Sequence, residues 1–119
     1  MTIEEYRKLF GNKFHAKKTC VGDIVFDSKK EAKRYQTLLE WERFGIITNL
    51  RRQVVFELQE GYINNQGKKI RPITYIADFT YEEKGKKIVE DTKGWRTKEY
   101  RIKKKIFEYK YPEYTFVES

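Results

Sequence analysis

The stretch Ile73-Thr74-Tyr75-Ile76-Ala77-Asp78-Phe79-Thr80-Tyr81, followed by Glu83-Lys84-Gly85-Lys86 and Lys87-Ile88-Val89-Glu90-Asp91-Thr92-Lys93, decides how this chain folds. Strand-forming residues stand on both sides of a short polar break that contains a glycine, the pattern of a β-hairpin. A two-residue loop at Lys84-Gly85 sets the register. Counting outward from that loop, Asp78 falls directly opposite Asp91. Side chains alternate faces along a strand, so Asp91 and Lys93 share one face and Glu90 takes the other. Directly paired residues hold their Cβ atoms about 4.5–5.5 Å apart, where two carboxylates repel unless a cation lies between them. Two aspartates and a lysine on one sheet face point to a divalent metal and a phosphate.

The rest of the chain supplies helices around this hairpin. Thr2 caps a predicted short helix over 2–11 with Ile3, Tyr6, Leu9 and Phe10 as its apolar stripe, and a basic extension runs on to Thr19. Val21-Gly22-Asp23-Ile24 reads as a small turn leading to Val25-Phe26-Asp27. Ser28-Lys29-Lys30-Glu31 has capping-box spacing, and Ala32, Tyr35, Leu38 and Leu39 follow at helical intervals before Gly45. The longest helix is therefore expected at about 28–44, with Tyr35, Leu38, Trp41 and Phe44 in the core. Ile47–Leu50 and Gln53–Leu58 read as one strand or two short ones, and Asn64–Gly67 as a polar turn inside Gly61–Arg71. Thr97 caps a helix over 98–110 with Ile102, Ile106 and Phe107 facing inward, Pro112 stops it, and Tyr114–Glu118 is a last strand. Helix, antiparallel strands, helix, strand is an α+β or α/β sandwich.

At 119 residues the chain has the length of a single domain, 1–119, able to bury a modest core. A net charge of +8 favours a polyanionic partner, nucleic acid before membrane. The single cysteine, Cys20, excludes an intramolecular disulfide, and the single histidine, His15, excludes a multi-histidine metal site. Both read as incidental. With neither a leader pattern nor a long apolar run, the expected location is the cytoplasm, with no membrane partner.

The chemistry that suits the hairpin is phosphodiester hydrolysis. It needs a nucleophilic water, charge stabilisation on phosphorus and help for the departing oxygen, which Mg2+ or Mn2+ anchored by a few carboxylates provides. Asp78 and Asp91 are the expected anchors, with the backbone carbonyl of Thr92 as a further ligand and Lys93 to orient or deprotonate water. Just downstream, Arg96 before the last helix and Lys98, Arg101, Lys104 and Lys105 on it are candidate phosphate contacts. Trp95 and Tyr100 read equally as base-stacking or packing residues, and Gln53 as a water-orienting neighbour. The bland alternative for the aspartates is a pair of solvated carboxylates on an edge hairpin.

Asp78, a short hairpin and then Asp91-Thr92-Lys93 resembles the PD-(D/E)XK nuclease signature, with Ala77 in the place of the signature proline. Together with Phe26-Asp27-Ser28-Lys29-Lys30-Glu31-Ala32 and Val89–Gly94, these blocks look like a phage-encoded domain-of-unknown-function family grouped with Holliday-junction-resolvase-like nucleases. The similarity runs from about Lys17 to the end. The resemblance implies a restriction-endonuclease-like core of αβββαβ order, a central mixed sheet flanked by helices. It also implies that Glu31 completes a catalytic set of Glu31, Asp78, Asp91 and Lys93, although the capping box gives Glu31 a competing structural role. The expectation is a metal-dependent DNA endonuclease, selective for branched DNA in phage recombination or replication. A homodimer would match a two-fold junction. A non-catalytic DNA-binding or partner-binding module that keeps the fold is the alternative, and an RNA-directed nuclease is a third reading.

Overall fold

The computed structural model describes residues 19–26, 28–92 and 97–119. The predicted helix over 2–11 and its basic extension, His15, Lys93, Trp95 and Arg96 lie outside these. Backbone contacts divide the chain into two compact units, Met1–Ile46 and Ile47–Ser119.

In the first unit, strands β1 (Thr19–Val21) and β2 (Ile24–Phe26) form an antiparallel hairpin in which Val21 pairs with Ile24. The turn requires the left-handed backbone that Gly22 adopts, at φ 58°. Helix α1 spans Lys29–Arg43, and its cap is Ser28, whose hydroxyl oxygen accepts the Glu31 N–H at 3.1 Å. Gly45, at φ 76°, follows the C-cap Phe44 and stops the helix as its sequence predicts. Phe26, Ala32 and Leu38 are buried, and Tyr35 lies tilted against Phe26 at 5.3 Å. Phe44 corrects the predicted core: at the C-cap it has left the helical stripe and is exposed.

The second unit is a four-stranded mixed sheet in the order β3-β6-β7-β8. Its strands are β3 (Thr48–Gln59), β6 (Ile73–Glu83), β7 (Lys86–Asp91) and β8 (Tyr114–Glu118). The first three are antiparallel, and β8 joins β7 in parallel after helix α2 (Lys98–Lys110). A parallel neighbour needs such a crossover. Between β3 and β6 stands a separate small hairpin, β4 (Tyr62–Ile63) and β5 (Lys69–Ile70). The order α1-β3-β6-β7-α2-β8, the small hairpins set aside, is αβββαβ, and the chain has a mixed α+β fold.

Helix α2 starts where its sequence predicts, with the Thr97 hydroxyl oxygen accepting the Tyr100 N–H at 3.1 Å. Its inward residues differ in part from the expected set. Tyr100 and Phe107 are buried, whereas Ile102 is 58% and Ile106 36% exposed. At 3.6 residues per turn Tyr100 and Phe107 stack on one face, and Ile102 sits about 200° round from Tyr100. The larger aromatic rings take the sheet-facing stripe. They pack with Phe56, Leu58, Tyr75, Ala77 and Val89 into one core.

Candidate active site

The central hairpin forms in the predicted register. Glu83 pairs with Lys86, and the ladder continues without a slip to Thr80↔Val89 and Phe79↔Glu90. Lys84 and Gly85 have φ of 50° and 77°, the paired positive values of a type I′ turn, whose twist matches the strands it joins. The ladder ends at Phe79↔Glu90, and Asp78 and Asp91 are the next residues outward on the two strands.

Side-chain alternation is interrupted at that level. Tyr75, Ala77 and Val89 all belong to the core beneath α2, yet Val89 pairs with Thr80. Strict alternation puts Thr80 and Ala77 on opposite faces, so the pleat changes phase between them, at Asp78. The neighbouring strand shows the same disturbance. Arg52 pairs with Phe79 and Val54 with Ala77, and Gln53 between them has φ 51°. Gln53 thus stands across from Asp78 at the break. The register on either side is unchanged, so this is a local twist of the backbone and not an inserted residue.

The Asp78 carboxylate is fixed by Thr92. Its N–H donates to Asp78 Oδ2 at 2.9 Å and its hydroxyl donates to the same oxygen at 2.8 Å. Asp91 is held separately: the Tyr75 hydroxyl donates to its Oδ2 at 2.7 Å. Asp78 is 8% exposed and Asp91 0%, so Asp78 is the member nearer solvent. Burial pushes the Tyr75 phenol far above its ordinary 10.0, and the bond to Asp91 and the charges of Asp91 and Asp78 push it the same way. Tyr75 therefore keeps its proton and stays a donor. Glu90 takes the opposite face, as alternation predicts. It is fully buried, and accepts the Tyr81 hydroxyl at 2.6 Å and the Ser119 hydroxyl at 2.8 Å.

The remaining sequence candidates separate into groups. Glu31 is buried in the first turn of α1, and its N–H meets the Ser28 cap. Lys98, Arg101 and Lys105 are exposed along α2. Lys104 is already engaged, bonding Glu118 at 3.1 Å and lying over the Phe116 ring at 5.1 Å. Tyr100 resolves the choice between stacking and packing: it is buried, and its hydroxyl donates to Glu118 at 2.8 Å. Lys93 and Arg96, outside the described residues, rest on their place in the sequence. Tyr75, Tyr81 and Ser119 escaped the sequence reading, because their roles follow from the phase change and from the β7–β8 pairing. Tyr75 carried one usable signal, a strand tyrosine three residues before the first aspartate.

Among the described residues no group of three or more His, Cys, Asp or Glu side chains is placed to hold a metal ion. None of their helices is long and apolar enough to cross a membrane. The chain belongs to the family described as "Protein of unknown function (DUF1064)", which matches residues 11–118. No curated protein and no solved structure matches it.

The Tyr75–Asp91 bond carries a stability prediction. Tyr75→Phe leaves a buried carboxylate short of a donor and is expected to cost about 1.5–3 kcal/mol in chemical denaturation. The pH dependence has a definite sign. The folded phenol titrates above 10.0 and the unfolded one at it, so this contribution is complete below pH 10 and declines as pH rises beyond. With chelator present, the wild type should lose stability above that pH more steeply than Tyr75→Phe. Parallel curves would remove Tyr75 from this role.

Proposed function

We propose that this chain is a metal-dependent endodeoxyribonuclease of the PD-(D/E)XK type, hydrolysing phosphodiester bonds in branched DNA of the kind handled in phage recombination or replication. The observation that carries this reading is the hairpin that brings Asp78 and Asp91 just past its last pair, Phe79↔Glu90, with Thr92 bonded to Asp78 and Lys93 next in the sequence. The αβββαβ order and the net charge of +8 support it.

The donor set suits Mg2+ or Mn2+, which take one or two carboxylates and fill the remaining positions with water and substrate phosphate. When bound, the ion supplies Lewis-acid stabilisation of the phosphoryl oxygens and of the departing 3′ oxygen. Asp78 and Asp91 hold it, and the Thr92 carbonyl offers a further oxygen. Lys93 orients the attacking water or takes its proton. Lys98, Arg101 and Lys105 meet phosphates without reading sequence. The resemblance assigns Glu31 to the set, through its charge.

One observation favours the second reading, a DNA- or partner-binding module that retains the fold without turnover: Asp91 is fully buried and already bonded to Tyr75. Incubation with supercoiled plasmid and with synthetic four-way junctions separates the two. Cleavage leaving 5′-phosphate ends is expected with Mg2+ or Mn2+ and none with chelator. Binding without cleavage under every metal condition selects the module. In the same assay Glu31→Gln, which keeps the helix start and removes the charge, should lower cleavage at least about tenfold. Unchanged cleavage assigns Glu31 to the cap alone.

A further inference from the structure

The β4–β5 hairpin is more ordered than a connection between two strands requires. Asn64 Oδ1 accepts the N–H of Gln66 at 3.0 Å and of Lys68 at 2.9 Å, and the Asn64 N–H donates to the Lys68 carbonyl at 2.9 Å. Tyr62 pairs with Ile70 and Ile63 with Lys69. At the root, a Cβ on Gly61 would meet the Ile70 carbonyl oxygen at 3.0 Å and the Pro72 ring at 3.3 Å, so the two arms close tightly there. A rigid projection of this kind loses little entropy when something binds it.

Its surface is basic and apolar together. Lys68, Lys69 and Arg71 are exposed within four positions, against the single acid Glu60 at its base. Tyr62 is 49% and Ile63 70% exposed. Tyr62, Lys69 and Arg71 line one open hollow with Gly61 and Pro72. Tyr62 shares a face of the ribbon with its partner Ile70, and Lys69 and Arg71 fall on the other. A ribbon with an aromatic ring on one face and cations on the other suits a nucleic-acid strand where it parts from its partner, with phosphates on the cations and an unpaired base on the ring. Ile73, where the hairpin rejoins the sheet, lies five positions before Asp78 along β6.

We propose that the β4–β5 hairpin is a second DNA contact, with Lys69 and Arg71 bound to backbone phosphates and Tyr62 stacked on an unpaired base where the duplex opens. It rests on the reading of the chain as DNA-directed, and it deepens that reading by assigning substrate recognition to a segment remote from the acidic pair.

The test is binding and not turnover. Fluorescence anisotropy is measured in chelator, over a series of salt concentrations, with a paired duplex and with a junction carrying unpaired bases. Lys69→Ala with Arg71→Ala should weaken binding to both DNAs and reduce the slope of log affinity against log salt by about 2. Tyr62→Ala should weaken the junction by about 5- to 100-fold and leave the paired duplex unchanged. Circular dichroism and melting confirm that the exposed substitutions leave the fold intact. Wild-type affinity and slope in both variants overturn the proposal and leave the hairpin to a protein partner. A wild type that binds both DNAs here but cuts neither when Mg2+ or Mn2+ is supplied sinks the nuclease reading while the hairpin result stands. A wild type that binds neither DNA sinks both.

Discussion

Asp78→Asn and Asp91→Asn are each expected to abolish metal-dependent cleavage while the protein stays folded. Asparagine is the sharper substitution here because of what each carboxylate accepts. An amide oxygen at position 78 can still take the Thr92 N–H and hydroxyl, now at 2.9 and 2.8 Å, and one at 91 can still take the Tyr75 hydroxyl. What disappears is the negative charge. Two like charges set opposite each other on a hairpin destabilise it, so in chelator either variant should melt at or slightly above the wild-type temperature. Cleavage should fall at least about a hundredfold to a thousandfold, the scale of losing one electrostatic stabiliser of a transition state. Binding of Mn2+, followed by calorimetry, should weaken more for Asp78→Asn, since Asp78 is the partner nearer solvent. Stable variants that cut at the wild-type rate would return both aspartates to a structural role. Variants that unfold would show instead that the charges themselves hold the hairpin.

The fold was legible wherever a short local rule decides the outcome. The Lys84-Gly85 turn fixed the register of β6 on β7 because two consecutive positive φ values leave one loop length and one pairing. Ser28 and Thr97 fixed both helix starts because an unsatisfied N–H needs an acceptor close in sequence. The inward face of α2 was only partly legible. Ile102, Ile106 and Phe107 all suit a core, and the sheet beneath chose Phe107 with Tyr100. The site was legible as composition and not as geometry. Alternation alone carries Asp78 and Asp91 onto one face but says nothing of a change of pleat phase beside Asp78, where Gln53 of the neighbouring strand also leaves the extended backbone. Lys104 illustrates the same limit. Its bond to Glu118 exists because β8 returns beside β7, where Glu118 pairs with Asp91 across twenty-seven positions of sequence.

Phe107→Ala is expected to be the most destabilising single change in the sheet unit. The ring is 0% exposed and meets five other rings of the aromatic core. Its centroid lies 4.9 Å from Phe56, 5.2 Å from Tyr111, 5.6 Å from Tyr75, 5.8 Å from Phe116 and 5.9 Å from Tyr114. These neighbours come from β3, β6, β8 and the end of α2, so no single side chain can move in to fill the space. Such a substitution costs about 3–5 kcal/mol. Against a typical domain stability of about 5–15 kcal/mol, that lowers the melting temperature by roughly 10–25 °C. The effect should also reach the acidic pair, because the ring that packs on Phe107 is the one whose hydroxyl holds Asp91. At a temperature where the variant is still folded, its affinity for Mn2+ should fall together with its stability. Phe107→Leu, which keeps most of the volume, should recover the larger part of both. A Phe107→Ala protein that melts within a few degrees of the wild type would mean that α2 is not packed on the sheet through this ring.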